Sequence, residues 1–315
     1  MRHENSVFHQ LMKVLPRYRF EGMVASVAGD YRVRTLRCWD QFLAMLYGQL
    51  SGCESLRELE VGFNSHAERH YHLGCHPVRR STLADANETR PVALYESVFS
   101  WLLGKALEGD RREAGEALLL LDSTTIPLNK TLREWAEFRS TKSGVKLHLA
   151  YDPHADVPSF FSLTPAKRHD MAEAAEFPIV RGARYVFDRA YNAYGWWQEL
   201  HEAGCIFVCR LKDNARFSFV EWWEPVGNGV LADDIIRLRE DACTAPLRRI
   251  VYHCPVRDKR LVFISNDLDA PAAAIADLYK QRWQIELFFK WIKQNLKIKR
   301  FFGMSENAVK IQISH

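Results

Sequence analysis

At about residue 117 the hydrophobic pattern of this chain changes period, and that change limits the possible folds more than any other feature. Before it, VFHQLMKVL, WDQFLAMLYGQL and SLRELEVGF space their apolar residues as helices do, and Ser55 stands where it can cap the third. PVRRSTLADANETRP follows, where Ser81 is a candidate cap for a short helix preceded by Arg79 and Arg80. After the change, ALLLLDSTTI, VKLHLAYD and SFFSLTPA read as strands, with DPHADVP as a turn between the last two. Helix and strand then alternate through HDMAEAAEFPIV, ARYVFD, GWWQELHEAG and CIFVCRL. Between Arg216 and Asn266 the alternation breaks: FSFVEWWEPV, LRRIVYHC and KRLVFISN read as strands separated by polar turns. Asp269 and Pro271 then mark a helix start. The pattern is a helical region followed by an α/β region.

The last helix carries the most telling spacing. In YKQRWQIELFFKWIK, Tyr279, Arg282, Glu286 and Lys293 follow one another at steps of three, four and seven residues. Such steps place all four on one side of a helix, in a row roughly 21 Å long. One carboxylate thus stands between cations, an arrangement suited to a long anion. A carboxylate able to bind a divalent cation, set among groups that grip phosphates, is what phosphodiester chemistry needs.

This spacing resembles the signature of the DDE transposases of the insertion-sequence-4 family: Tyr, two residues, Arg, three residues, Glu, six residues, Lys. LLLLDSTTIPL around Asp122 and YVFDRAYNAYGWW around Asp188 are similar to the family's first and second acidic motifs, in the expected order. The resemblance implies a ribonuclease-H-like (retroviral-integrase-like) α/β core with a β-rich insertion, preceded by a small α-helical domain. On that basis the expected division is 1–95 for a helical DNA-binding domain, 96–213 and 267–315 for the catalytic core, and 214–266 for the insertion. Asp122 is expected on the first strand, Asp188 at the end of the fourth, and Glu286 on a helix that completes the site.

The implied chemistry is metal-dependent cleavage and strand transfer. Nicking DNA needs an activated water and a stabilised departing 3′ oxygen, which two divalent ions about 3.5 to 4 Å apart can provide. Hard oxygen ligands suit Mg²⁺ or Mn²⁺. Asp122, Asp188 and Glu286 are the expected ligands, with Asp122 bridging two ions. Tyr279, Arg282 and Lys293 are expected to contact phosphates, and Arg210 and Lys212, beyond a strand end, are further DNA-binding candidates, as are Arg79 and Arg80 at a helix start. Trp222 and Trp223 offer aromatic faces for an extruded base, with core packing as the alternative. His148 and His169 read as structural polar residues. The expected partners are double-stranded DNA, as terminal inverted repeats and as target, and a second copy of the chain in a synaptic complex.

Composition adds limits. With 43 Lys and Arg against 39 Asp and Glu, overall charge argues weakly for a nucleic-acid partner. Distribution argues better, because the stretch from Lys280 to Arg300 holds seven cations and Glu286 alone among acids. Although 47% of residues are hydrophobic, no apolar run reaches the roughly 18 residues of a membrane span. MRHENSVFHQ has no apolar signal stretch. The expected location is therefore the cytoplasm, at the nucleoid. The seven cysteines are odd in number and scattered, as reduced thiols would be. HAERHYHLGCH matches no zinc-binding spacing and reads as a polar or DNA-facing segment. Two other functions fit the same residues: a nuclease that cuts without joining, and a truncated, non-catalytic DNA-binding relic or repressor. The ending FFGMSENAVKIQISH favours the truncated reading, since related transposases continue for some tens of residues.

Overall fold

The computed structural model describes residues 7–108, 117–128, 137–139, 142–239, 242–256, 258–295, 301–303 and 305–314. The chain divides into two compact units: Met1–Glu108, Ile126–Val145 and Lys290–His315 form the first, Gly109–Thr125 and Lys146–Phe289 the second.

The first unit is built on helices α1 (Val7–Met12), α2 (Arg17–Ser26), α3 (Cys38–Ser51), α4 (Leu56–Asn64), α5 (His70–Leu73), α6 (Arg80–Thr89) and α7 (Val92–Ala106). Their apolar faces meet around Phe20, Leu43, Met45, Leu59, Leu83 and Tyr95, all buried. Full burial of each such side chain is worth about 1.5 to 3 kcal/mol. Ser55 caps α4 as its sequence position predicts, accepting the Glu58 N–H at 3.2 Å. Ser81 does not cap α6. The Arg79 carbonyl already accepts the N–H of Leu83 at 2.9 Å and the hydroxyl of Thr82, so Arg79 takes the cap position, two residues earlier, and the helix encloses Ser81. Helix α7 begins after Pro91 and runs on past residue 95. The chain's final helix, Glu306–Ile313, packs Val309 and Ile311 inward, and Asn307 donates to the carbonyls of Asn87 and Arg90 at 2.9 and 2.8 Å.

Among the described residues, ten strands follow α7: β1 (Leu118–Leu128), β2 (Glu137–Arg139), β3 (Lys142–Asp152), β4 (Val157–Pro165), β5 (Arg184–Phe187), β6 (Ile206–Arg210), β7 (Phe217–Trp223), β8 (Val230–Leu238), β9 (Leu247–Cys254) and β10 (Lys259–Ser265). They form a sheet in the order β2-β3-β1-β5-β6-β10-β9-β8-β7, with β4 pairing β3. β1, β5 and β6 are parallel, whereas β10, β9, β8 and β7 continue the sheet antiparallel from the edge of β6. Parallel central strands bury both faces, which explains the unbroken leucines of β1.

The second unit also holds α8 (Asp170–Glu173), α9 (Tyr194–Glu202), α10 (Ala272–Lys280) and α11 (Trp283–Asn295), the last continuing into the first unit. Strand alternation divides the core between two layers. Phe207 and Cys209 of β6 pack with Trp196, Trp197 and Leu200 of α9, while Val208 between them packs with Ile275 and Ala276 of α10. Among the described residues no helix is long and apolar enough to cross a membrane.

Two elements depart from the sequence expectation. Strand β8 reads in sequence only as an acid-rich stretch, yet Asp233 and Asp234 are buried in the sheet. Each is neutralised from β9: Arg248 forks onto Asp233 at 2.8 and 2.6 Å, and Arg249 meets Asp234 at 2.6 Å. The signature stretch is also two helices rather than one. α10 ends at Lys280, α11 begins at Trp283, and the joint is a tight turn with Gln281 N bonded to Leu278 O and Arg282 N to Tyr279 O. Tyr279 therefore belongs to a different helix from Glu286 and Lys293, and the continuous 21 Å row does not form. Of the basic run, Lys297, Lys299 and Arg300 lie outside the described residues.

Candidate active site

Parallel pairing of β1 with β5 brings the first two acids together. Leu121 is the register partner of Phe187, and Asp122 and Asp188 are the next residues on each chain segment. Neighbouring strands lie about 4.8 Å apart, so the two acids stand side by side where β5 ends, with β1 running on to Leu128. Asp122 accepts the N–H of Ser123 at 2.8 Å, and Asp188 caps the following 3₁₀ turn by accepting the Ala190 N–H at 2.7 Å.

Arg282 brings in the third acid. From the turn between α10 and α11, its Nη1 donates to Asp122 Oδ2 at 2.8 Å and its Nη2 donates to Glu286 Oε1 on the first turns of α11. The Arg282 side chain is only 16% exposed, against 19% for Asp122 and 35% for Glu286. Burial pushes the Asp122 carboxyl up to about 6. The Arg282 charge opposes that rise, and the neighbouring Asp188 and Glu286 charges add to it. For Arg282, burial works against the cation, but Tyr279, Asp122 and Glu286 outweigh it and hold its pKa above the usual value. Tyr279 packs on Phe263 at 4.8 Å, with the Arg282 guanidinium 5.9 Å from its ring. Burial raises its phenol to about 12, so it stays protonated at neutral pH.

Beside Asp188 a cleft is lined by Arg189, Ala190, Lys212, Asp213 and Asn214. Arg189 pairs with Asp213 at 3.2 Å, which leaves Lys212 as the cation of that wall without a carboxylate partner among the described residues. Arg210 ends β6 with its Nε buried and unpaired among the described residues. The second unit thus gathers Asp122, Asp188, Glu286, Arg282, Tyr279, Arg210 and Lys212. Lys293, half-buried near the end of α11, belongs to the first unit, as do Arg79 and Arg80, both exposed at the start of α6. The paired tryptophans separate: Trp223 lies over the Arg248 guanidinium at 4.8 Å, whereas Trp222 is 67% exposed and stacks on Phe219 at 4.4 Å. A polar cluster of the buried His148, Thr164 and Tyr191 with the half-buried Ser123, Lys146 and Asp170 adjoins Asp122, and of these the sequence singled out only His148, as a structural residue. The cluster's one signal was a histidine inside an apolar strand.

Asp122 and Asp188 beside the end of β5, and Glu286 joined to Asp122 through the Arg282 guanidinium, offer hard oxygen donors with a positive charge already between two of them. That chemistry fits a divalent metal ion. Among the described residues, no three His, Cys, Asp or Glu are grouped closely enough to hold a metal ion.

A family model described as a transposase DDE domain matches residues 113–315, and one described as a domain of unknown function (DUF4372) matches residues 3–76. The chain is 41% identical over 239 residues to a putative transposase, y4zB, of Sinorhizobium fredii, covering 73% of this chain and 67% of that protein. It is 29% identical over 239 residues to a probable transposase for insertion sequence element IS5377 of Geobacillus stearothermophilus, covering 74% and 63%. A putative transposase for insertion sequence element IS4SA of Synechocystis is 25% identical over 243 residues, covering 74% and 67%. The chain thus spans about two thirds of the length of these relatives. A DDE domain works with divalent metal ions, in keeping with the donor set described above. Because the DDE domain extends over more than half of its residues and a transposase shares 41% of the aligned ones, the chain belongs to the DDE transposases, enzymes that cleave DNA and transfer its strands.

Proposed function

We propose that this chain is a transposase of the insertion-sequence-4 type, which binds the terminal inverted repeats of its element, pairs the ends as a homodimer in a synaptic complex, excises the element and inserts it into target DNA. The observation that carries this reading is the joining of Asp122 to Glu286 through Arg282, beside Asp188 on the adjacent parallel strand. The strand order β4-β3-β1-β5-β6 supports a ribonuclease-H-like core over 96–213 and 267–315. Residues 214–266 are then an insertion that lengthens the sheet from β6. Residues 1–95 are the DNA-binding domain in this proposal, with Arg79 and Arg80 as phosphate contacts at a helix start.

Asp122, Asp188 and Glu286 would hold Mg²⁺ or Mn²⁺, two ions in all. When bound, the metal supplies an activated water and a stabilised departing 3′ oxygen. The protein's own groups do the rest. Tyr279, protonated at neutral pH, can donate its phenol hydrogen to a phosphate oxygen. Arg210 and Lys212 stand at and just beyond the end of β6, on the side of Asp188, where they can balance backbone charge. Arg282 offers a further cation once it lets go of the carboxylates, and Lys293 adds another farther along α11. Trp222, with its exposed face, is the better of the two tryptophans for stacking an extruded base. The place of action is the cytoplasm, at the nucleoid.

The test is a joining assay with a terminal-repeat duplex, a target plasmid and Mg²⁺. Covalently joined product is the expected outcome. Nicks without joined product would point to a nuclease, and binding without either product to a non-catalytic protein.

A further inference from the structure

Three polar groups lie close to one oxygen of Asp170. Ser123 Oγ donates to its Oδ1 at 2.8 Å, Lys146 Nζ lies 3.2 Å from the same atom and His148 Nδ1 lies 3.4 Å away. His148 has no solvent exposure; its Nε2 meets Thr164 Oγ1 at 2.9 Å and its Nδ1 meets the Tyr191 hydroxyl at 3.3 Å. The cluster therefore links β1, β3, β4, α8 and the 3₁₀ turn after β5 (Arg189–Tyr191). Buried networks whose members are satisfied fix side chains more firmly than their separate bonds suggest.

Two of its members are tied directly to acids of the site. Ser123 follows Asp122 and donates its backbone N–H to that carboxylate while its hydroxyl holds Asp170. Tyr191 lies three residues after Asp188, and its backbone N–H bonds the Asp188 carbonyl at 3.2 Å. From Asp122 a path runs through Ser123, Asp170, His148 and Tyr191 to Asp188, with no link longer than 3.4 Å. A cluster that only filled the core would have no need to end on both acid-bearing segments.

We propose that Asp170 is a positioning residue: through Ser123 on one side and His148 and Tyr191 on the other, it sets the spacing of Asp122 against Asp188 and thereby the affinity for the divalent ion. This inference rests on the assignment of those acids as metal ligands. Outer-shell partners of metal ligands are worth about 10- to 100-fold in metal affinity. Asp170 touches no ligand itself and acts through its neighbours.

The test measures Mn²⁺ binding to the purified full chain from the free-ion electron paramagnetic resonance signal, beside thermal unfolding. Asp170→Asn keeps the shape and removes the charge; Ser123→Ala and Tyr191→Phe each remove one hydroxyl and leave the fold in place should Asp170→Asn not hold it. The expected result is about tenfold or greater weakening of Mn²⁺ binding in all three, at temperatures where each is fully folded. Wild-type affinity in the folded variants, with only the melting temperature lowered, would overturn the positioning role while leaving the acidic site intact. Absence of Mn²⁺ binding by the wild type would overturn both together.

Discussion

Replacing Arg282 with alanine removes the cation that joins Asp122 to Glu286 and leaves two partly buried carboxylates without it. Breaking a buried pair by deleting one partner costs about 3 to 5 kcal/mol. Because Asp122 and Glu286 keep some solvent contact, the lower end applies, about 3 kcal/mol, or about 6 to 12 °C in melting temperature for a body the size of the second unit. The pH dependence has a definite sign. Asp122 has a folded pKa near 6, above its usual 3.8, so its charge destabilises the fold fully above about pH 6 and progressively less as pH falls toward 3.8. Arg282 restrains that rise, so its loss sends the Asp122 pKa higher still. The gap between wild type and Arg282→Ala is therefore widest near pH 7.5 and narrows by pH 5. Thermal unfolding of both proteins at the two pH values, followed by circular dichroism, measures it. An unchanged melting temperature at pH 7.5, or a gap that widens on acidification, would refute the pairing.

Three further outcomes follow from the packing. Trp197 is fully buried against Phe207 at 5.2 Å and Phe187 at 6.3 Å, so Trp197→Ala should cost about 3 to 5 kcal/mol in urea unfolding. Ser55→Ala removes the α4 cap and should cost about 1 kcal/mol, read from the unfolding midpoint of the first unit. Burial, with help from Lys146 and Arg168 and against Asp170, lowers His148 to about 4 from 6.5, so the fold loses up to about 3 kcal/mol as pH falls from 6.5 toward 4. His148→Gln should remove that acid-side loss, and a variant just as acid-sensitive as wild type would disprove it.

Much of the site could be read in the sequence because its main signals are local. Four leucines before Asp122 mark a strand buried on both faces, and YVF before Asp188 marks its parallel neighbour. What escaped depends on partners distant in sequence. VLADDIIRL reads as a polar stretch until Arg248 and Arg249 neutralise its aspartates from the next strand. The break between α10 and α11 is likewise invisible to spacing: nothing in QRW breaks a helix, and the Arg282 side chain from that turn bonds Asp122, 160 residues away in sequence. Asp170 gave no signal of its own, since its partners come from β1 and β3. Trp222 and Trp223 look equivalent until strand alternation sends one outward and sets the other on Arg248.

The most direct measurement is strand nicking of a duplex bearing the element's terminal repeat, with Mg²⁺ or Mn²⁺, by the wild type and by Glu286→Gln. Glutamine keeps the size of Glu286 and one acceptor oxygen but removes the charge that pairs with Arg282 and would hold a metal. If Asp122, Asp188 and Glu286 carry the chemistry, the wild type nicks at the repeat and the variant binds the same duplex without cutting it. Nicking that persists undiminished in Glu286→Gln, or that is missing from the wild type as well, would contradict a catalytic role for these acids.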